Sequence, residues 1–162
     1  MLVGVISDTH MTGGRRKLPA ACAEHLAGCD LIVHGGDVMT EEALAEVEAI
    51  GAPVEAVLGN VDSFELRRRL PPERAIALPG GVTLGVVHDA GPSRGRLARL
   101  RLRFPDADAV VFGHSHIPLH EAEGDFQIFN PGSPTDRRRS PHHSMGLARV
   151  ERGTISFELV TL

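Results

Sequence analysis

One short pattern recurs along the chain and limits the folds open to it. An apolar run stops at or near a glycine and is followed at once by a side chain that can donate a nitrogen or oxygen to a metal. Leu2-Val3-Gly4-Val5-Ile6 runs into Ser7-Asp8-Thr9-His10, and Leu31-Ile32-Val33 runs into His34-Gly35-Gly36-Asp37. Residues 54–58 run into Gly59-Asn60, residues 82–87 into His88, and Val110-Val111-Phe112 into Gly113-His114-Ser115-His116. Short apolar runs bounded in this way read as buried strands. In open α/β sheets ligands bind just beyond the carboxyl ends of strands, so these tips can converge. Asp8 and His10 stand two apart, as do His114 and His116. In an extended chain, residues so spaced point to one side, so the spacing predicts that His114 and His116 aim at one place.

The segments between the strands alternate in character. Leu18 to Gly28 reads as a helix with Pro19 in its first turn, after a Gly- and Arg-bearing loop from Met11 to Lys17. Thr40 is the expected N-cap of a second helix, with Glu41 and Glu42 placed against the dipole, Ala43, Leu44 and Val47 as its apolar stripe, and Gly51 and Pro53 as its stop. Asp62 to Pro72, with Arg67-Arg68-Arg69, reads as a solvated helix face. Arg74–Leu78 and Val82–Val87 form a strand pair around Pro79-Gly80-Gly81. Arg94 to Phe104 reads as an amphipathic helix with Leu97, Leu100 and Leu102 as its apolar positions, ended by Pro105. Beyond His116 the pattern is all strand: residues 119–122 with 126–129, and 145–151 with 154–160, read as antiparallel hairpins. The expected architecture is a single domain over 1–162, two mixed sheets packed face to face with helices outside.

Composition narrows the class. A chain of 162 residues with 42% hydrophobic and 23% charged residues reads as an ordinary globular domain. Its net charge of −4 argues against a dedicated nucleic-acid surface. Cys22 and Cys29 alone make neither a zinc site nor a disulfide framework and suit a reducing compartment. No apolar run spans a bilayer, and the chain opens directly in a strand, so the expected location is the cytoplasm.

The candidate ligands are Asp8, His10, Asp37, Asn60, His88, His114 and His116. Carboxylate, amide oxygen and imidazole without thiolate suit first-row ions such as manganese, iron, cobalt, nickel or zinc. Seven ligands are too many for one tetrahedral site and suit two ions bridged by a carboxylate. Two divalent ions against two aspartates leave a surplus of about +2 for a bridging hydroxide and an anionic substrate, and the neutral Asn60 preserves it. Such a pair, about 3.5–4 Å apart, activates water and neutralises an in-line phosphoryl transfer.

These motifs, Asp8-Thr9-His10, Gly36-Asp37, Gly59-Asn60, His88 and Gly113-His114-Ser115-His116, resemble those of calcineurin-like metallophosphoesterases. Asn130-Pro131-Gly132-Ser133 and the short length narrow the resemblance to the small bacterial and archaeal phosphodiesterase branch, which also contains the retromer scaffold subunit. The resemblance implies a four-layer αββα sandwich and two divalent ions, manganese first. It implies that Asp8, His10, Asp37 and His116 hold one ion. Asp37 then bridges to a second held with Asn60, His88 and His114. Asn60 and His114 would stabilise transition-state charge, and His34 and Asp62 would support the ligands. Apart from the resemblance, Arg94 and Arg96, just after the His88 loop, read equally as contacts to substrate phosphate or as a solvated helix start.

Three departures shape the expected function. Val61 stands where many relatives carry a histidine general acid, which favours a diesterase over a protein phosphatase. Val61 also stands where close relatives often have cysteine, a change expected to be structurally neutral. Asp89 follows His88 where glycine is common, adding a carboxylate. His25, His120, His142 and His143 are expected to be exposed without a role, and Arg137-Arg138-Arg139 to be a charged loop. The expected activity is hydrolysis of a small-molecule phosphodiester. Alternatives are a non-catalytic scaffold of the same fold, which would tolerate loss of ligands, and a nuclease, which the acidic balance and 4% aromatic content disfavour.

Overall fold

The computed structural model describes residues 1–12 and 16–162, so part of the loop expected over Met11–Lys17 lies outside the described residues. Strands β1 (Leu2–Ile6), β2 (Leu31–His34) and β3 (Val54–Ala56) run parallel to one another. The C-terminal hairpin, β9 (Ser144–Glu151) and β10 (Thr154–Thr161), adds antiparallel to β1, giving a sheet in the order β10-β9-β1-β2-β3. The second sheet has the order β4-β5-β6-β8-β7, built from β4 (Glu73–Ala77), β5 (Thr83–Val87), β6 (Ala109–Val111), β7 (Leu119–Glu123) and β8 (Phe126–Asn130). Each sheet is mixed, as the alternating first part and all-strand last part of the chain imply.

Strand alternation explains the layers. Val3, Val5, Leu31 and Val33 of the first sheet share one buried cluster with Leu84, Val86, Ala109, Val111 and Phe129 of the second. The intervening residues face outward under helices. Ile6 and Ile32 meet Cys22, Leu26, Leu44, Val47 and Leu66 from α1 (Ala20–Ala27), α2 (Glu41–Glu48) and α3 (Phe64–Arg69). Val110, Phe112 and Ile128 meet Leu100 of α4 (Arg96–Arg103) and Phe104 beyond it. With both faces of the central strands buried, the sequence shows continuous apolar runs rather than a polar alternation. The result is the αββα sandwich.

Local signals set most element ends. The Thr40 side chain accepts from the Ala43 N–H at the start of α2, and Ser63 accepts from Leu66 N–H at the start of α3. The β9–β10 turn places Arg152 at φ 53° and Gly153 at φ 77°, both central positions left-handed as a type I′ hairpin requires. Two expectations shift. Pro19 sits before α1 rather than inside its first turn. Leu102 is 83% exposed, because the eight-residue helix α4 turns only Leu100 fully inward and leaves Leu97 half-buried.

Candidate metal centre

All five strand tips meet at one end of the sandwich. β1 delivers Asp8 and His10, β2 delivers Asp37 and β3 delivers Asn60 from the first sheet; β5 delivers His88, and β6 delivers His114 and His116, from the second. Backbone bonds knit the tips together: Asp8 N–H donates to Gly36 O at 2.9 Å, His10 N–H to Asp37 O at 3.0 Å, and Gly113 N–H to His88 O at 3.0 Å.

The donor atoms face one another in a chain. Asp37 Oδ2 lies 3.4 Å from His10 Nε2 and 3.3 Å from His88 Nε2. His88 Nε2 lies 3.0 Å from Asn60 Oδ1, which lies 2.9 Å from His114 Nδ1. His116 Nε2 lies 3.3 Å from Asp8 Oδ1. Two groups have ligand atoms all within 4.8 Å of one another: Asp8, His10 and His116, and Asp8, Asp37 and His88. All seven sequence-predicted ligands are therefore brought together, and Asp8 reaches both groups.

The chemistry of this donor set fits cations. Ligands about 2.0–2.2 Å from one ion, at tetrahedral or octahedral angles, stand roughly 3.0–3.5 Å apart, which is the spacing observed. Hydrogen bonds from imidazole are as a rule shorter than the 3.3–3.4 Å contacts to Asp8 and Asp37, and the buried His10 Nε2 and His116 Nε2 have no hydrogen-bond partner among the described residues. The other ring nitrogens fix the tautomers. His88 Nδ1 donates to Gly35 O at 2.8 Å, and His116 Nδ1 donates to Asp136 O. In the neutral His116 ring Nε2 is then a bare lone pair facing Asp8 Oδ1, an arrangement that a cation would relieve, whereas a protonated His88 donates from Nε2 to Asp37.

The electrostatics agree. Burial drives the Asp8 carboxyl up to about 7, helped by Asp37 and opposed by the His88 charge and by bonds from Ser7 and the His114 N–H. Burial also works to raise Asp37, but bonds from His88 and the Val61 N–H and the charges of His88 and His10 hold it down at about 2. Burial lowers His10 and His116. For His88 burial is outweighed by the bond to Asp37 and the charges of Asp8 and Asp37, which raise it.

Backbone strain is concentrated here. Asp8, His10, Asp37, His114 and His116 all have positive φ, at 56°, 44°, 58°, 67° and 58°. Each such residue costs on the order of 1 kcal/mol. His114 and His116 therefore do not point to one side of an extended chain. The left-handed kinks send His114 to Asn60 and His116 to Asp8. Glycines make room for this packing: a Cβ at Gly59 would collide with Asp37, and one at Gly36 would come within 2.7 Å of His88 Nδ1.

The supporting residues divide clearly. His34 is fully buried, with Nδ1 accepting from Gly36 N–H at 3.2 Å and Nε2 facing Thr9 Oγ1 at 3.1 Å. Asp62 accepts from Met39 N–H at 2.7 Å and from Gly59 N–H at 2.6 Å, tying two ligand loops together. The Asp89 carboxylate turns back onto Gly91 N–H at 2.7 Å. Arg94 is exposed, and among the described residues no bond or ion pair joins its side chain to the site. Arg96 lies over the Phe112 ring at 5.1 Å and bonds Gly91 O, which is a structural duty.

Ser7, to which the sequence assigned no role, and the residues of the 130–133 motif also hold the site. Ser7 Oγ donates to Asp8 Oδ2 at 2.7 Å, and Ser133 Oγ donates to Asp8 O at 2.7 Å. Asn130 donates to Gly113 O at 2.8 Å and accepts from Gly132 N–H at 2.8 Å, so Asn130-Pro131-Gly132-Ser133 is a buttress and not merely a turn. For residues 130–133 the sequence signal is the motif itself, directly after the apolar strand 126–129; Ser7 has none beyond standing beside Asp8.

Comparison with known proteins places the chain among similar ones. A family model described as the calcineurin-like phosphoesterase superfamily domain matches residues 1–153. A probable metallophosphoesterase of Methanocaldococcus jannaschii is 38% identical over 138 residues, covering 83% of this chain and 69% of that protein. One of Methanothermobacter thermautotrophicus is 33% identical over 162 residues, covering 99% and 92%. Among solved structures, wild-type Vps29 of Entamoeba histolytica complexed with Zn2+ matches with a TM-score of 0.78 at 22% identity over 99% of both chains. A structure described as a novel archaeal phosphodiesterase matches with a TM-score of 0.73 at 16% identity over 99% of this chain and 100% of that one. At these identities the two structures share the fold.

Proposed function

Because the chain belongs to the calcineurin-like phosphoesterase superfamily, we propose that it is a phosphodiester hydrolase that works with two divalent ions on a small-molecule diester. One observation carries the reading: Asp37 Oδ2 sits between His10 Nε2 and His88 Nε2, at 3.4 and 3.3 Å, in the position of a bridging carboxylate. Asp8, His10, Asp37 and His116 would hold one ion, and Asp37, Asn60, His88 and His114 the other. Manganese heads the candidates, with iron, zinc, nickel and cobalt behind it, on the oxygen and imidazole donor set. Bound ions supply Lewis acidity, lowering the pKa of water toward neutrality and neutralising charge on phosphoryl oxygens.

The residues themselves perform the rest. Asp8, Asp37, His88 and His116 are buried, whereas Asn60 and His114 are exposed, so the diester approaches across the last two. Were Nδ1 to ligate the ion, the His114 ring would carry its proton at Nε2, where it would hydrogen-bond a phosphoryl oxygen as charge builds. Hydrolysis adds one water to phosphorus and breaks one P–O bond; the departing alkoxide takes up a proton, leaving a monoester and an alcohol. Val61 offers no acid for that step: its side chain is exposed and apolar, and its N–H donates to Asp37 Oδ1 at 3.0 Å. A leaving group that needs little protonation suits such a site.

No described helix is long and apolar enough to cross a membrane. We place the protein in the cytoplasm on its two free cysteines, both buried. The test is turnover of bis-p-nitrophenyl phosphate by protein reconstituted with manganese, beside metal content measured on the same sample. Asp37→Ala should lose both ions and reduce turnover to background. Wild-type turnover in that variant sinks the assignment, and an intact, metal-loaded wild type that hydrolyses no diester favours the scaffold.

A further inference from the structure

A cleft of about 360 Å3 counts Asn60 and His88 of the ligand set among its lining residues. Leu58, Pro72 and Val87 form its apolar wall, and Asp89 and Arg103 are its charged members. Around Asp8 and His116 the loops are bonded to one another. There Thr135 Oγ1 donates to Thr9 O at 2.5 Å, Ser133 Oγ donates to Asp8 O at 2.7 Å, and His116 is bound to the Asp136 carbonyl. A diester whose phosphorus lies over Asn60 and His114 therefore has room for one of its ester groups in this cleft.

Two features of the cleft select that group. Its lining carries no phenyl ring, and the whole chain has no tryptophan or tyrosine, so a nucleobase would gain little stacking there. Arg103 is held in place by Glu73, its Nε donating to Glu73 Oε2 at 2.5 Å, while its two terminal nitrogens make no other hydrogen bond among the described residues. A guanidinium fixed through one nitrogen keeps a fork of donors for a planar anion. Asp89 has one oxygen engaged by Gly91 N–H, at 2.7 Å, and with Glu73 sets two carboxylates against the single charge of Arg103, so what Arg103 offers an anion is its free N–H fork rather than a net positive field.

We propose that this cleft is the subsite for a compact, non-aromatic alcohol of the diester that bears a carboxylate or phosphate, and that Arg103 determines the specificity by pairing with that anion. The assignment rests on the diesterase reading above and deepens it. Arg103 is the last residue of α4, whereas Arg96 is its first.

The experiment compares three p-nitrophenyl phosphodiesters whose second alcohol is 3-hydroxypropionate, ethanol or choline, with manganese-loaded protein. Wild type should prefer the carboxylate ester to the ethyl ester by about ten-fold in kcat/KM, the scale of one charge-assisted pair, and should use the choline ester least. Arg103→Gln should collapse that ratio to near one, Arg103→Glu should invert it in favour of choline, and Asp89→Asn should raise it. Equal use of the three esters by wild type overturns the proposal, as does an Arg103→Gln variant that lowers all three by one common factor. Calorimetric binding of the phosphate monoester of 3-hydroxypropionate provides a readout independent of turnover: it should weaken about ten-fold in Arg103→Gln, and equal affinity again overturns the subsite. Absence of turnover on all three esters, with the difference in binding intact, removes the hydrolase reading and supports the anion subsite.

Discussion

His34 is bonded to neither ligand group, yet its protonation state governs the loop that presents Asp37. Gly36 N–H donates to its Nδ1, so the neutral ring carries its proton at Nε2, toward Thr9 Oγ1. Burial first, and then the His88 charge, push its pKa down to about 3. An unfolded chain takes up that proton near 6.5, so the contribution to stability is complete above that pH and is lost as pH falls from 6.5 toward 3. Asp8 and His88 titrate in the opposite sense, because folding raises both. The difference between wild type and His34→Gln removes their part. Urea denaturation from pH 7 to pH 4 should show wild type losing stability relative to the variant by up to about 1.4 kcal/mol per pH unit. Parallel curves would show that His34 does not carry this penalty. The position of this histidine was legible in the sequence, just ahead of Gly35-Gly36-Asp37. Its tautomer was not, because it depends on the loop turning Gly36 N–H back onto Nδ1 and on Thr9, a partner 25 residues away.

At the scale of elements, the strand tips were readable because strands and ligands are adjacent in sequence: an apolar run, a glycine, a donor. The left-handed backbone at Asp8, His10, Asp37, His114 and His116 was hidden, since nothing in Asp-Thr-His or His-Ser-His distinguishes a kink from an extended strand end. Helix α4 misled in the other direction, its leucine spacing suggesting a burial of Leu102 that eight residues do not deliver. Contacts between loops were also beyond reach, as with Ser133 and Asp8, 125 residues apart. Asp62 makes the strongest prediction of this kind. Its carboxylate takes the N–H groups of Met39, at φ 97°, and of Gly59, which immediately precedes Asn60. Asp62→Ala leaves both donors unpaired, at about 1–3 kcal/mol each, so urea denaturation should show a loss of about 2–6 kcal/mol together with weaker manganese binding. A variant as stable as wild type would mean that the two loops hold each other without it.

Taken whole, the molecule is two sheets assembled from interleaved parts of the chain, since β9 and β10 return to join β1 after the second sheet is complete. Both ligand groups draw on both sheets. Asp8 and His10 meet His116 across the sandwich, and Asp37 and Asn60 meet His88 and His114. Ions that bind only this assembled arrangement stabilise it by mass action, about 2.7 kcal/mol at a hundred-fold excess over Kd. For a chain of this length that corresponds to roughly 5–10 °C in Tm. Thermal unfolding with manganese should rise by that amount over chelator-treated protein, and an unchanged Tm would rule out ion binding across the sheets.

The interior layer of Val3, Val5, Val33, Leu84, Val86, Val111 and Phe129 thereby acquires a second duty. It works as the spacer of a caliper whose jaws are the strand tips, and coordination tolerates errors of only about 0.2 Å. Trimming a methyl group far from any ligand shifts the jaw opening before it threatens folding. The cation, rather than the thermometer, is the finer gauge of how well this sandwich is packed.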